Sequence, residues 1–323
     1  MENLSHRKVQ KAYRGLGTNI TLSAFGSATT TDLDDSFLLL QQFEDKLTVN
    51  RSQSELMSVN NSAGIKPVSV SDSTYHLAKL AILTSQQGFG FNALIGPVVK
   101  LWKIGFSGAH VPTDTEIKAK LQLIDPTQVE LNDQDFSIFL KKPGMQLDLG
   151  AIAKGYIADR IQDLWQAKGI SNGIINLGGN LLLKGNAPHH VDRKWRIGIQ
   201  DPFAKRGAAI LSVKTGPCSA VTSGIYERLL KTSTGTYHHI LDPLTGYPHE
   251  NNLSSVTVFS KESVMAEIET TRLFFKDDST ATYEPLTDIF GVIFVTKDKK
   301  IITHGLQSQD LTLLDDSFEL SIN

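Results

Sequence analysis

Polar and apolar residues alternate along GTNITLSAFG (17–26), which predicts a strand, because successive side chains of an extended chain point to opposite faces. TDLDDSFLLLQQFEDKLTV (31–49) changes period. Phe37, Leu40 and Phe43 share a helical face, and Thr31 or Asp32 can cap the start. Two more helices are expected: 70–88, capped by Ser71 or Asp72 and stopped by Gly88, and 112–124, with a Thr or Asp cap. Strands then dominate, at 136–142, 145–150, 173–179, 194–200, 207–216, 237–243 and 253–260, interrupted by one long helix near 151–168. A helix over 263–275 and a hairpin over 288–305 follow. Long helices come early and strands late, without steady βαβ alternation. The expected class is therefore α+β, with a mixed or antiparallel sheet core and flanking helices. Short loops and the lack of a low-complexity linker favour one compact domain over 1–323, with 1–12 as a candidate flexible tail.

Composition narrows the function more than the fold. The 323 residues, 40% hydrophobic and 20% charged, suit a globular protein. A net charge of −2 gives no reason to expect general binding to nucleic acid or acidic membranes. The lone Cys218 excludes a disulfide framework and a cysteine-rich metal centre. No apolar run reaches the ~18 residues of a transmembrane helix. The opening MENLSHRKVQKAYRG lacks the apolar core of an export signal. A cytoplasmic protein is the expectation, with an exported form that has lost its signal as the alternative.

The stretch LDLGAIAKGYIADRI (147–161) reads as strand, turn and helix, with Lys154 and Gly155 in the first helical turn. A cation is unfavourable at the positive end of the helix dipole. Glycine inside a helix costs about 1 kcal/mol relative to alanine. A bound phosphate would repair both defects, since helix-start amides and Lys154 would meet an anion and glycine would let it come close. A solvated lysine and a tolerated glycine explain the pattern equally. The order of residues is not that of a P-loop, and GFG (88–90) lacks the third glycine of a dinucleotide fingerprint.

Other motifs are weaker singly. NLGGN (176–180) fits a tight turn, and TSGIYER (222–228) offers hydroxyls and a glycine to a ligand or simply turns. In YHHILDPLTGYP (237–248) two histidines fall on opposite faces of a strand, and Asp242 follows His239 by three residues. A histidine held by a carboxylate can act as a general base near neutral pH; a hairpin with one buried histidine is the plainer alternative. Glu267 and Thr271, four apart on a helix, present hard oxygens suited to Mg²⁺ or Ca²⁺, or merely an exposed face.

Order and spacing add what single motifs lack. LDLGAIAKGYIAD, NLGGN, WRIGIQDP, SGIYER, HHILDPLTGYP and AEIETT, with QFEDKLTVNRSQSELMSVN (42–60) and FNALIGPVVKLWKIG (91–105), resemble the ApbE family of FAD:protein FMN transferases from about residue 13 to 275. The resemblance implies that FAD is the substrate and that its pyrophosphate is cleaved. FMN passes through its phosphate to a Thr or Ser hydroxyl of an acceptor flavoprotein, and AMP leaves with the help of Mg²⁺ or another divalent metal. It implies His239 as the base, oriented by Asp242, and the Ala151 carbonyl, Glu267 and Thr271 as metal ligands. It also implies that Glu55, Lys154, Gly155, Asp159, Gly178, Gly179, Ser223 and Gly224 line the FAD. Three positions depart from the family: Glu267 and Asn180 stand where aspartate is usual, and Asn92 replaces the acid of a Phe-Asp pair. Two alternatives stand beside transfer: hydrolysis of FAD to FMN and AMP at the same site with water as acceptor, and, given the changed carboxylates, FAD binding without catalysis.

Overall fold

The computed structural model describes residues 7–233, 235–276 and 288–323. In chain order the elements are β1 (Lys8–Gly15), β2 (Thr18–Phe25), α1 (Thr30–Leu47), α2 (Glu55–Asn61), β3 (Val68–Ser69), α3 (Asp72–Ser85), α4 (Gly96–Trp102), α5 (Asp114–Leu121), β4 (Val129–Asn132), β5 (Ser137–Leu140), α6 (Ala153–Ala167), β6 (Asn172–Asn176), β7 (Asn180–Lys184), β8 (Trp195–Gln200), β9 (Ala209–Thr215), β10 (Cys218–Gly224), β11 (Leu229–Lys231), β12 (Thr236–His238), β13 (Leu253–Ser260), α7 (Ser263–Lys276), β14 (Ile289–Thr296), β15 (Lys300–His304), β16 (Leu311–Leu313) and β17 (Glu319–Ile322). The class is α+β, as the sequence pattern indicates. β1 begins inside the stretch expected to be a tail, with residues 1–6 outside the described ones.

The chain divides into two compact units. The first comprises Met1–Glu44, Lys154–Gly224 and Asn252–Asn323. Its main sheet has the order β1-β2-β6-β7-β10-β13-β14-β15-β17, antiparallel except for the β15–β17 pair. One face carries helices. Trp165 of α6 lies where a Cβ on Gly173 of β6 would sit, its Nε1 donates to Ser36 Oγ of α1 at 2.8 Å, and α7 packs on β10 and β13. The other face shares a core with the β16-β9-β8 sheet through Phe25, Ala220, Phe259, Ile293, Ile197 and Leu211. All eight residues of β13 are buried because both faces of that strand are covered, so its polar positions do not alternate with exposure.

The second unit comprises Asp45–Ala153 and Ile225–Asn251. It holds α2 to α5, the β3-β5-β4 sheet and the β11-β12 pair. The expected helix at 112–124 is α5, closed by a Thr113–Glu116 capping box. The expected strand at 145–150 is a correction. Met145, Leu147 and Leu149 do point inward, yet among the described residues no strand pairs with them. The Asn60 side chain takes the place of a ladder, accepting from Leu147 N at 2.7 Å and donating to Leu147 O at 2.9 Å, and Asp148 N donates to Ala93 O at 2.8 Å. The strand expected at 237–243 likewise shrinks to β12 plus a single bridge, Leu241 to Pro248.

Candidate functional site

The first unit holds the larger share of the expected residues. Lys154 and Gly155 stand in the first turn of α6, and their partner is an anion of the chain itself. Glu267 on α7 is 6% exposed. Its carboxylate accepts from Asn180 Nδ2 at 2.9 Å and from the Gly155 amide, and the Lys154 charge lies near enough to stabilise it. Burial still raises its pKa above the ordinary carboxylate range, against Lys154, Asn180 and Gly155. A buried carboxylate at the positive end of α6 thus accounts for both features that looked costly in the sequence. Gly155 has a further cause: a Cβ there would lie 2.5 Å from Ser263 O and 2.7 Å from Val264 Cα. The close approach it permits is to the first turn of α7.

Asp159, one turn along α6, caps α7. Its two oxygens accept from Ser263 N at 2.9 Å and Val264 N at 3.0 Å. Burial pushes its pKa from 3.8 up to about 6 in spite of those bonds. A carboxylate with a raised folded pKa favours the native state while protonated. That contribution is complete below the unfolded value and is lost as pH rises through about 6. Asp159→Asn is therefore expected to gain stability relative to the wild type, by up to about 3 kcal/mol, between pH 4 and pH 7. Urea denaturation at both pH values checks this, and a difference independent of pH would refute it.

The turn between β6 and β7 contains Gly178 and Gly179, with φ of 72° and 88°. A Cβ on Gly178 would strike Thr18. Lys154 Nζ reaches Gly178 O at 3.4 Å, and Thr222 N donates to Gly179 O at 2.9 Å. On β10, Ser223 Oγ donates to Thr270 Oγ1 at 2.9 Å, and Gly224 pairs with Ser255 of β13. Thr270 and Thr271 both donate to Glu267 O, at 2.9 and 3.1 Å. Thr271 thereby commits its only hydroxyl hydrogen, leaving lone pairs for another ligand. Lys154, Gly155, Gly178 and Glu267 are thus brought together, while Asp159, Ser223 and Thr271 fix the helix that carries Glu267.

Sequence reasoning missed the small polar residues behind Glu267. Ser219, Ser263 and Thr270 are fully buried and hydrogen-bonded across β10 and α7. A signal existed in CSAVTSG, where Ser219 and Ser223 lie on the same strand face.

In the second unit, Glu55 accepts from Ser71 N at 3.0 Å and Ser71 Oγ at 2.7 Å, anchoring the start of α3. Ala151 lies in the turn that enters α6, where Ile152 N and Ala153 N both donate to Leu149 O. Two of the amides expected at that helix mouth are therefore engaged. Asp148 is half-buried, and its loss of solvation raises its pKa, opposed by the Gly150 amide and the charges of Lys100 and Arg228.

His239 directly follows β12. The loop after it is fastened by Asp242 N to Tyr247 O at 2.7 Å, Gly246 N to Asp242 O at 2.7 Å and His249 N to Ile240 O at 2.9 Å. Asp242 Oδ2 meets His249 Nδ1 at 3.0 Å, and Oδ1 accepts from Leu244 N at 2.7 Å. His249 is thus a partner of Asp242 that the sequence spacing did not suggest. Among the described residues, no group of three or more His, Cys, Asp or Glu side chains gathers as a metal site. No helix among them is long and apolar enough to cross a membrane.

A family model described as the ApbE family matches residues 16–286. The FAD:protein FMN transferase of Klebsiella pneumoniae (strain 342) is 43% identical over 287 residues, which is 88% of this chain and 88% of that protein. That of Treponema pallidum (strain Nichols) is 35% identical over 302 residues, 89% of this chain and 83% of the relative. The crystal structure of the ApbE protein of Thermotoga maritima has a TM-score of 0.82 at 24% identity, covering 91% of this chain and 96% of that one; the likeness is one of fold.

Proposed function

The chain belongs to the ApbE family, and from that premise we propose that it is an FAD:protein FMN transferase acting on a Thr or Ser of a flavoprotein. The observation that carries the reading is the 43% identity to an enzyme of that name over 88% of the chain. In the reaction the acceptor oxygen bonds to the FMN phosphorus. The bond from that phosphorus to the bridging oxygen breaks, and AMP leaves with that oxygen. His239 takes the acceptor proton, as a base working near neutral pH must. The Lys154 ammonium, held beside the Gly178 carbonyl, offsets negative charge that grows on the leaving phosphate.

The donor set fits a divalent cation. Glu267 and Thr271 are hard oxygen ligands one helical turn apart, Thr271 with its hydrogen already committed to Glu267 O. Mg²⁺ held by these residues would supply further charge neutralisation at the pyrophosphate.

Incubation with FAD, Mg²⁺ and candidate acceptor flavoproteins should give a fluorescent protein band that survives denaturation, with AMP released in equal amount. EDTA should abolish both. Free FMN without a labelled band would identify a hydrolase. No AMP with any divalent ion would leave FAD binding alone.

A further inference from the structure

We infer that Asn180 is the positioning residue of Glu267, with its amide turned the required way by a buried row of hydroxyls. The inference rests on the transferase reading only for its catalytic consequence. Asn180, Ser219 and Ser263 are each 0% exposed. Ser219 Oγ donates to Ser263 Oγ at 2.9 Å, and Ser263 Oγ donates to Asn180 Oδ1 at 2.9 Å. Asn180 Nδ2 then donates to Glu267 Oε1 at 2.9 Å.

A hydroxyl has one hydrogen to give. With the Ser263 hydrogen on Oδ1, the amide must present its NH₂ to Glu267. Turned over, it would set oxygen against oxygen in a dry interior, and a buried acceptor without a donor is unfavourable. Asn180 comes from β7, Ser219 from β10, and Ser263 and Glu267 from α7, so three elements fix one carboxylate. The rule that follows is directional. It holds for this chain's pair, in which a glutamate stands at 267: Asn180 donates and Glu267 accepts, or both are exchanged together.

Glu267 lies in the first unit with Lys154, and its orientation matters wherever its oxygens act. Outer partners that orient a reacting or metal-binding carboxylate typically change activity by about 10–100-fold when removed. Asn180 would act in that way, without touching substrate.

The test is an exchange of the pair. Asn180→Asp sets two carboxylates against each other and is expected to lower the melting temperature by roughly 10 °C. Asn180→Asp combined with Glu267→Gln restores one donor and one acceptor, because the glutamine amide introduced at 267 can donate to the carboxylate introduced at 180. The double variant should melt within about 3 °C of Glu267→Gln alone. Recovery of soluble, cooperative folding in the double variant, where Asn180→Asp alone does not fold, is the same result. A double variant no more stable or soluble than Asn180→Asp overturns the proposal, as does an Asn180→Asp protein that melts with the wild type.

The catalytic consequence is read separately. Asn180→Ala should lower kcat for FMN transfer about 10–100-fold while KM for FAD changes less than about threefold. An unchanged kcat in the folded variant overturns the positioning role. A wild type that transfers no flavin to any acceptor sinks the transferase reading instead, and the melting exchange still decides the pairing.

Discussion

Gly155→Val is expected to destabilise the protein by about 3 kcal/mol or more, although it removes a glycine from a helix. Propensity alone favours the change by a few tenths of a kcal/mol. Against it stands a Cβ placed 2.5 Å from Ser263 O and 2.7 Å from both Ser263 C and Val264 Cα. These are backbone atoms, so no rotamer change relieves the contact, and α6 and α7 must separate. Overpacking of this kind costs about 1–3 kcal/mol and occasionally more. Separation also stretches the two Asp159 bonds to α7 and the Gly155–Glu267 bond, where hydrogen bonds to charged groups contribute about 1.5–3 kcal/mol each. The steric and hydrogen-bond losses exceed the propensity gain severalfold. Urea titration followed by tryptophan fluorescence, to which Trp165 on the same helix contributes, measures the loss. A Gly155→Ala protein as stable as the wild type would show that α7 can shift freely, and would remove the geometric reason for glycine.

That residue also shows what the sequence could and could not disclose. Lys154 and Gly155 are out of place in a helix start, and the sequence alone marks them as answering something. What they answer is Glu267 on α7, so far along the chain that no local pattern spans the distance. Elements with one covered face were legible. β2, β8 and α5 each lie within the expected ranges, because alternation or a 3.6-residue period reports burial on one side. The same logic misled at 145–150. Alternation there records inward-facing Met145, Leu147 and Leu149, while the ladder itself depended on whether a neighbouring strand was at hand, and Asn60 stands in its place. β1 was missed because an edge strand whose positions are all exposed or half-buried carries little apolar signal. At the candidate site, spacing tied Asp242 to His239, yet the turn closed by Gly246 N on Asp242 O brings His249 to that carboxylate.

His239→Ala is expected to lower FMN transfer by about 10²–10⁴-fold while FAD binding stays within a few fold of the wild type. A Thr or Ser hydroxyl is a poor nucleophile at neutral pH until a base takes its proton, so the loss falls on the chemical step. The fold should tolerate the change, because the loop after residue 239 is fastened by other groups. Trp102 Nε1 donates to Gly246 O at 2.8 Å, Asp242 holds His249, and His249 N donates to Ile240 O. His249→Ala is the contrasting variant. It removes the partner of a largely buried carboxylate and is expected to cost about 1–3 kcal/mol of stability, with a smaller fall in transfer per folded molecule. Melting curves and single-turnover labelling of an acceptor separate the two patterns. Transfer at the wild-type rate by His239→Ala would remove the base from His239. A loss confined to His249→Ala would assign it to His249.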